Sequence, residues 1–108
     1  MAYETIILEK TEHIGVITLN RPDAMNTMTS QFFSEMLDAM TAVADDREIR
    51  VVVLKAKGKM FSAGGDLEML KSLDTILKAK SMVSKDGDII QKMYSMSKPI
   101  ICAVQGVA

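Results

Sequence analysis

Lys59-Met60-Phe61-Ser62-Ala63-Gly64-Gly65-Asp66-Leu67 decides the fold of this chain, because it joins an apolar run, Val51-Val52-Val53-Leu54, to a helical pattern opening Leu67-Glu68-Met69-Leu70. The order is strand, small-residue turn, helix start. Adjacent glycines let backbone come close to a ligand. The first amides of a helix have no intrahelical acceptor, so they face whatever sits before them. Such amides suit an oxygen that gains negative charge.

Upstream of this stretch, Thr5 to Glu9 and Gly15 to Leu19 are short β-branched runs separated by Glu12-His13-Ile14, which predicts a hairpin with His13 on the surface. Asn20 to Asn26 is a polar connection held by Pro22. Thr29 is placed to cap a helix running to about Ala44, with Met28 and Phe33 spaced as a hydrophobic staple. Phe32, Phe33, Met36, Leu37, Met40 and Val43 form one apolar stripe along it, a face that should pack on a sheet. Asp45 to Glu48 ends the pattern, and Val51 to Leu54 reads as a parallel strand covered on both faces.

Downstream, a short helix is expected from Leu67 to about Leu73, and Lys78 to Lys85 fits no single period. Asp86 is read as starting a helix that carries Ile89, Ile90, Met93, Tyr94 and Met96. It should end at Lys98-Pro99, because the residue before proline avoids helical geometry. Ile100 to Val104 is expected to return as a buried strand, with Cys102 a small buried hydrophobe. Right-handed crossovers would wind these units into a spiral with helices along one side.

Composition excludes several classes. The 108 residues allow one domain, and 48% apolar with 25% charged residues is a globular balance. Apolar runs such as Ile100 to Val104 are far short of the ~18 residues that span a bilayer. No basic cluster precedes an apolar segment at the amino terminus, so no secretory signal is expected there. With 13 basic and 14 acidic residues there is no positive footprint for nucleic acid. One cysteine fits a reducing compartment, the cytoplasm, and one histidine far from it leaves no metal-ligand cluster.

Three segments in order, Leu19-Asn20-Arg21-Pro22-Asp23-Ala24-Met25-Asn26, then Val51 to Leu54 with Phe61 to Leu67, then Lys98-Pro99-Ile100-Ile101-Cys102-Ala103-Val104-Gln105-Gly106, resemble the enoyl-CoA hydratase/isomerase, or crotonase, superfamily. The resemblance implies an α/β fold, the ClpP/crotonase-like ββα spiral, of which residues 1–108 would be the amino-terminal half, part of a single domain. It implies an acyl-CoA thioester as substrate and no cofactor beyond its coenzyme A moiety. Asp23, Ala24 and Met25 would lie against that moiety, and Ala63, Gly64, Gly65, Asp66 and Leu67 would form the rest of the substrate site. The Gly65 amide would be one of two donors to the thioester oxygen, on which charge collects during hydration or isomerisation. The family's second donor and its acid/base carboxylates would come after Ala108, so the chain alone is expected to lack turnover. The resemblance also implies homo-oligomers, trimers or dimers of trimers, in a complete protein. A module that binds coenzyme A without catalysis is the competing expectation.

Plainer roles compete at individual positions. Asp66 is an ordinary helix cap by position, and Asp66 with Glu68 is expected as dipole and capping chemistry rather than an acid/base pair. Lys55, Lys57 and Lys59 either form a solvated face or meet coenzyme A phosphates. Of the ten methionines most should fill the core, even though Met25, Met60 and Met69 are near the turn. The glycine turn has neither the P-loop lysine nor the three spaced glycines of a dinucleotide site.

Overall fold

The computed structural model describes residues 2–108. Its elements are β1 (Ile6–Thr11), β2 (Ile14–Leu19), a 3-10 turn (Pro22–Ala24), α1 (Ser30–Asp45), β3 (Val51–Ala56), α2 (Leu67–Lys71), α3 (Ile76–Ser95) and β4 (Ile100–Cys102). The sheet order is β1-β2-β3-β4. β1 and β2 are antiparallel with Ile6 opposite Leu19, across a turn in which Glu12 takes φ 54°. β3 then lies parallel to β2 with Val51 opposite Ile14, and β4 parallel to β3 with Ile100 opposite Val52.

Pattern and capping together place α1 on the sheet. The Thr29 side chain accepts from Phe32 N at 3.1 Å, satisfying one of the helix's orphan amides. Met28 and Phe33 line one apolar cavity beneath the helix entry. Phe32, Phe33, Met36, Met40 and Val43 share a buried cluster with Ile6, Ile17, Leu19, Val52 and Leu54 from one sheet face. At the other end of α1, Lys98 donates through Nζ to the carbonyls of Val43 (2.5 Å) and Asp46 (2.6 Å), which closes the helix and ties it to the approach of β4. Met36, Met40 and Met69 are buried, and Met28, Met82, Met93 and Met96 pack around the same core.

Three expectations are corrected. β3 buries Val52 and Leu54, whereas Val51 and Val53 are only half-buried, so one of its faces is closed and the other partly open. The third helix starts at Ile76, capped by the Thr75 hydroxyl accepting from Lys78 N, and runs through Gly87 without a break. It absorbs 78–85, which lacks a readable stripe because Ile76, Leu77 and Val83 all face solvent. β4 is short and not buried: Ile101 is 56% exposed, Val104 54%, and Cys102 is an exposed free thiol. Among the described residues no strand pairs with its outer edge, so apolar composition alone overstated its burial.

The amino-terminal segment is fastened to α1 through Glu35. That carboxylate accepts from Thr5 Oγ1 (2.6 Å), Thr5 N (2.8 Å) and Glu4 N (3.1 Å). Burial alone would raise its pKa; the bonds from Thr5, Glu4 and Gln31 outweigh it and hold the group below the usual glutamate range. Because the folded value is depressed, the unfolded chain takes up its proton first. The contribution is complete above the ordinary carboxylate range and disappears as pH falls through the folded pKa. Urea midpoints should therefore drop between pH 6 and pH 3, and Glu35→Gln should flatten that dependence; an equally steep profile in the variant would show that Glu35 is not its source. Nearby, burial and then the hydrogen bond to Asp38 push the Tyr3 hydroxyl up to about 12, so it remains a donor at neutral pH.

Candidate functional site

The connection after β2 and the turn after β3 fold against each other. Pro22 opens the 3-10 turn with its φ already set, and Met25 ends it in the left-handed region at φ 56°. Asn26 follows at φ 51°, a conformation asparagine tolerates better than most residues. The residue is 3% exposed. Its Oδ1 accepts from Arg21 N (2.8 Å), and its Nδ2 donates to the carbonyls of Lys57 (2.8 Å) and Met60 (3.2 Å).

Backbone bonds continue the seam. Ala63 N donates to Met25 O at 3.0 Å, Met28 N to Gly64 O at 2.9 Å, and Asp66 N to Met28 O at 3.0 Å. The last two form a parallel bridge between Met28 and Gly65. In such a bridge the bonds come from the residues flanking Gly65, so its own N–H faces away from Met28. Among the described residues none accepts from that N–H. Gly65 is exposed and lines an open cavity of about 410 Å³ with Ala24, Met25, Thr27, Ala63, Asp66 and Leu67.

Of the residues singled out by sequence, Ala24, Met25, Ala63, Gly65, Asp66 and Leu67 thus share one cavity wall. Asp23 is exposed in the 3-10 turn and Gly64 is half-buried behind the wall; neither belongs to the lining. Gly64 holds φ 96°, which explains a glycine there. Asp66 caps α2, its Oδ2 accepting from Met69 N at 3.0 Å, and Glu68 is exposed with Lys71 3.8 Å away. Asp66 is the only ionisable residue in the lining, and its carboxylate is engaged as the cap. Lys55, Lys57 and Lys59 are exposed. His13 is exposed too, its Nδ1 2.8 Å from Glu48 O. Among the described residues no cluster of histidine, cysteine and carboxylates could hold a metal, and no helix is long and apolar enough to cross a membrane.

Sequence reasoning passed over Asn26 and Ser62 as site residues. Ser62 is 2% exposed, donates to Asn26 O at 2.9 Å and accepts from Gly64 N at 3.1 Å. The available signal was an asparagine beside a proline turn; nothing local pointed to the serine. A wall of backbone amide and small side chains in which the Gly65 N–H is unpaired among the described residues can receive a carbonyl oxygen and stabilise charge on it without reorganising.

Comparison with known proteins finds a matching family and similar structures. The family model described as enoyl-CoA hydratase/isomerase matches residues 9–108. The chain is 38% identical over 109 residues to the crotonyl-CoA hydratase of Syntrophomonas wolfei, covering 100% of itself and 42% of that protein. It is 32% identical over 109 residues to the short-chain-enoyl-CoA hydratase of Clostridium acetobutylicum, covering 100% of itself and 41% of that protein. The crystal structure of an enoyl-CoA hydratase from Mycobacterium smegmatis superposes with a TM-score of 0.91 at 27% identity, covering 97% of this chain and 41% of that one. The chain spans about two-fifths of the length of the curated relatives it matches.

Proposed function

Because this chain belongs to the enoyl-CoA hydratase/isomerase family, we propose that it supplies the first oxyanion-hole donor and the coenzyme-A-facing loop of an acyl-CoA hydratase or isomerase. The observation that carries this reading is the Gly65 N–H, unpaired among the described residues, at the wall of a cavity shared with Ala24 and Met25. Residues 1–108 act as the amino-terminal part of a single crotonase-like domain. A thioester carbonyl accepts from Gly65, and Asp23, Ala24 and Met25 lie along the coenzyme A moiety; no further cofactor takes part. As water adds to the enoyl group, or a proton leaves the α-carbon, charge moves onto the carbonyl oxygen, and a fixed amide lowers the barrier by meeting it there.

Proton transfer needs a positioned acid or base. With Asp66 committed to capping, the lining of this cavity has no free carboxylate. The 108-residue chain alone is therefore a binding half-site. The complete enzyme, by the same family reading, assembles as trimers or dimers of trimers, and the single cysteine here fits the reducing cytoplasm.

The test is to titrate acetyl-CoA into the ¹⁵N-labelled chain and to assay the same preparation for hydration of crotonyl-CoA. A concentration-dependent shift of the Gly65 amide without turnover is expected. An unmoved Gly65 resonance at millimolar ligand would sink the donor assignment, and measurable hydration would sink the half-site reading.

A further inference from the structure

Ser62 is buried at the joint between the two loops, outside the lining of the Gly65 cavity, and carries no charge. Its hydroxyl has one proton, given to Asn26 O at 2.9 Å, and its oxygen accepts from Gly64 N at 3.1 Å. The next polar atom of Gly64, its carbonyl, accepts from Met28 N at 2.9 Å. Both polar backbone atoms of Gly64 are thus anchored to the 26–28 segment, one directly and one through Ser62.

That anchoring determines where the following amide points. The Gly64 carbonyl and the Gly65 N–H belong to the same planar peptide unit and, in a trans bond, lie on opposite sides of it. No cis peptide occurs among the described residues. Holding the Gly64 oxygen on Met28 aims the Gly65 N–H the other way. Gly64 sits at φ 96°, and a Cβ built there would have no atom within 4 Å. Packing therefore does not restrain this glycine; its hydrogen bonds to Met28 and Ser62 do.

We infer that Ser62 is a positioning residue for the Gly65 donor: its hydroxyl, seated on the backbone of Asn26, holds the Gly64 N–H and so, together with the Gly64 O–Met28 N bond, fixes the orientation of the peptide presented to the thioester oxygen. This rests on the functional reading above. Asn26 is the foundation, since its side chain ties the 57–60 backbone to the loop whose carbonyl Ser62 uses.

The experiment compares Ser62→Ala and Ser62→Cys with the wild-type chain, using acetyl-CoA as probe and two observables at Gly65: ligand-induced amide shift and ¹⁵N relaxation without ligand. Cysteine refills the serine volume but bonds poorly, so it separates hydrogen bonding from packing. Thr75→Ala, which removes the cap of α3 far from the joint, controls for general destabilisation. Both Ser62 variants should need on the order of tenfold more acetyl-CoA for the same Gly65 shift, the scale of one buried hydroxyl's bonds. Both should also show added motion at Gly64 and Gly65, while Thr75→Ala shows neither effect. A wild-type response retained in Ser62→Ala, or restored by Ser62→Cys, would overturn the inference. Should wild-type Gly65 ignore acetyl-CoA, the thioester reading fails, and relaxation alone then decides whether Ser62 restrains the peptide.

Discussion

Replacing Gly65 with proline in an intact hydratase that carries this chain as its amino-terminal segment should lower kcat by about 10²- to 10³-fold, the loss that follows removal of one oxyanion-hole donor. Proline deletes the N–H outright. The comparison that gives this meaning is Gly65→Ala, which keeps the amide. A Cβ at Gly65 would sit 3.4 Å from Leu70 Cδ1, an ordinary van der Waals contact, and the residue is not among those with positive φ. Alanine should therefore retain activity within a few-fold while proline loses it, both with unchanged far-ultraviolet circular dichroism. If the two variants fell equally, fit at position 65 would be the requirement and the donor role would be wrong.

Asn26→Ala should destabilise the chain by about 3 kcal/mol, combining three lost hydrogen bonds with the penalty of alanine in the left-handed region. On a domain of this size that corresponds to a fall in Tm of about 10–20 °C. Asn26 is unusual here in that a single side chain bonds to Arg21, Lys57 and Met60, so its loss uncouples the two loops that make the cavity. Asn26→Gly relieves the backbone penalty and isolates the hydrogen-bonding part. Asn26→Asp keeps the acceptor for Arg21 N but turns a second oxygen on two carbonyls; it should be as damaging as alanine at neutral pH and recover in mild acid. A loss below about 1 kcal/mol for Asn26→Ala would show that water replaces the side chain and that the seam is held by backbone bonds alone.

The reach of sequence reasoning divides along the range of the interactions involved. The hairpin, α1 and β3 were readable because their signals are local: β-branched runs, a threonine cap, an apolar stripe at helical spacing. The glycine turn, and the place of Gly65 on a cavity wall, were readable through motif chemistry. Where α3 begins was hidden, since its first turns present Ile76, Leu77 and Val83 outward and so carry no inward stripe, although Thr75 was an available cap. Cys102 and Ile101 were misjudged because an apolar run looks the same whether or not something covers it. Asn26 and Ser62 escaped notice for a third reason. Their bonds join positions 31 to 36 residues apart, a pairing no window of sequence displays.

Strand order along the sheet follows chain order, β1-β2-β3-β4. Each strand is added beside the one made just before it, and no later strand must be threaded between two earlier ones. A polypeptide leaving the ribosome could therefore extend the sheet in the order of its own synthesis, with the hairpin already laid as the template edge.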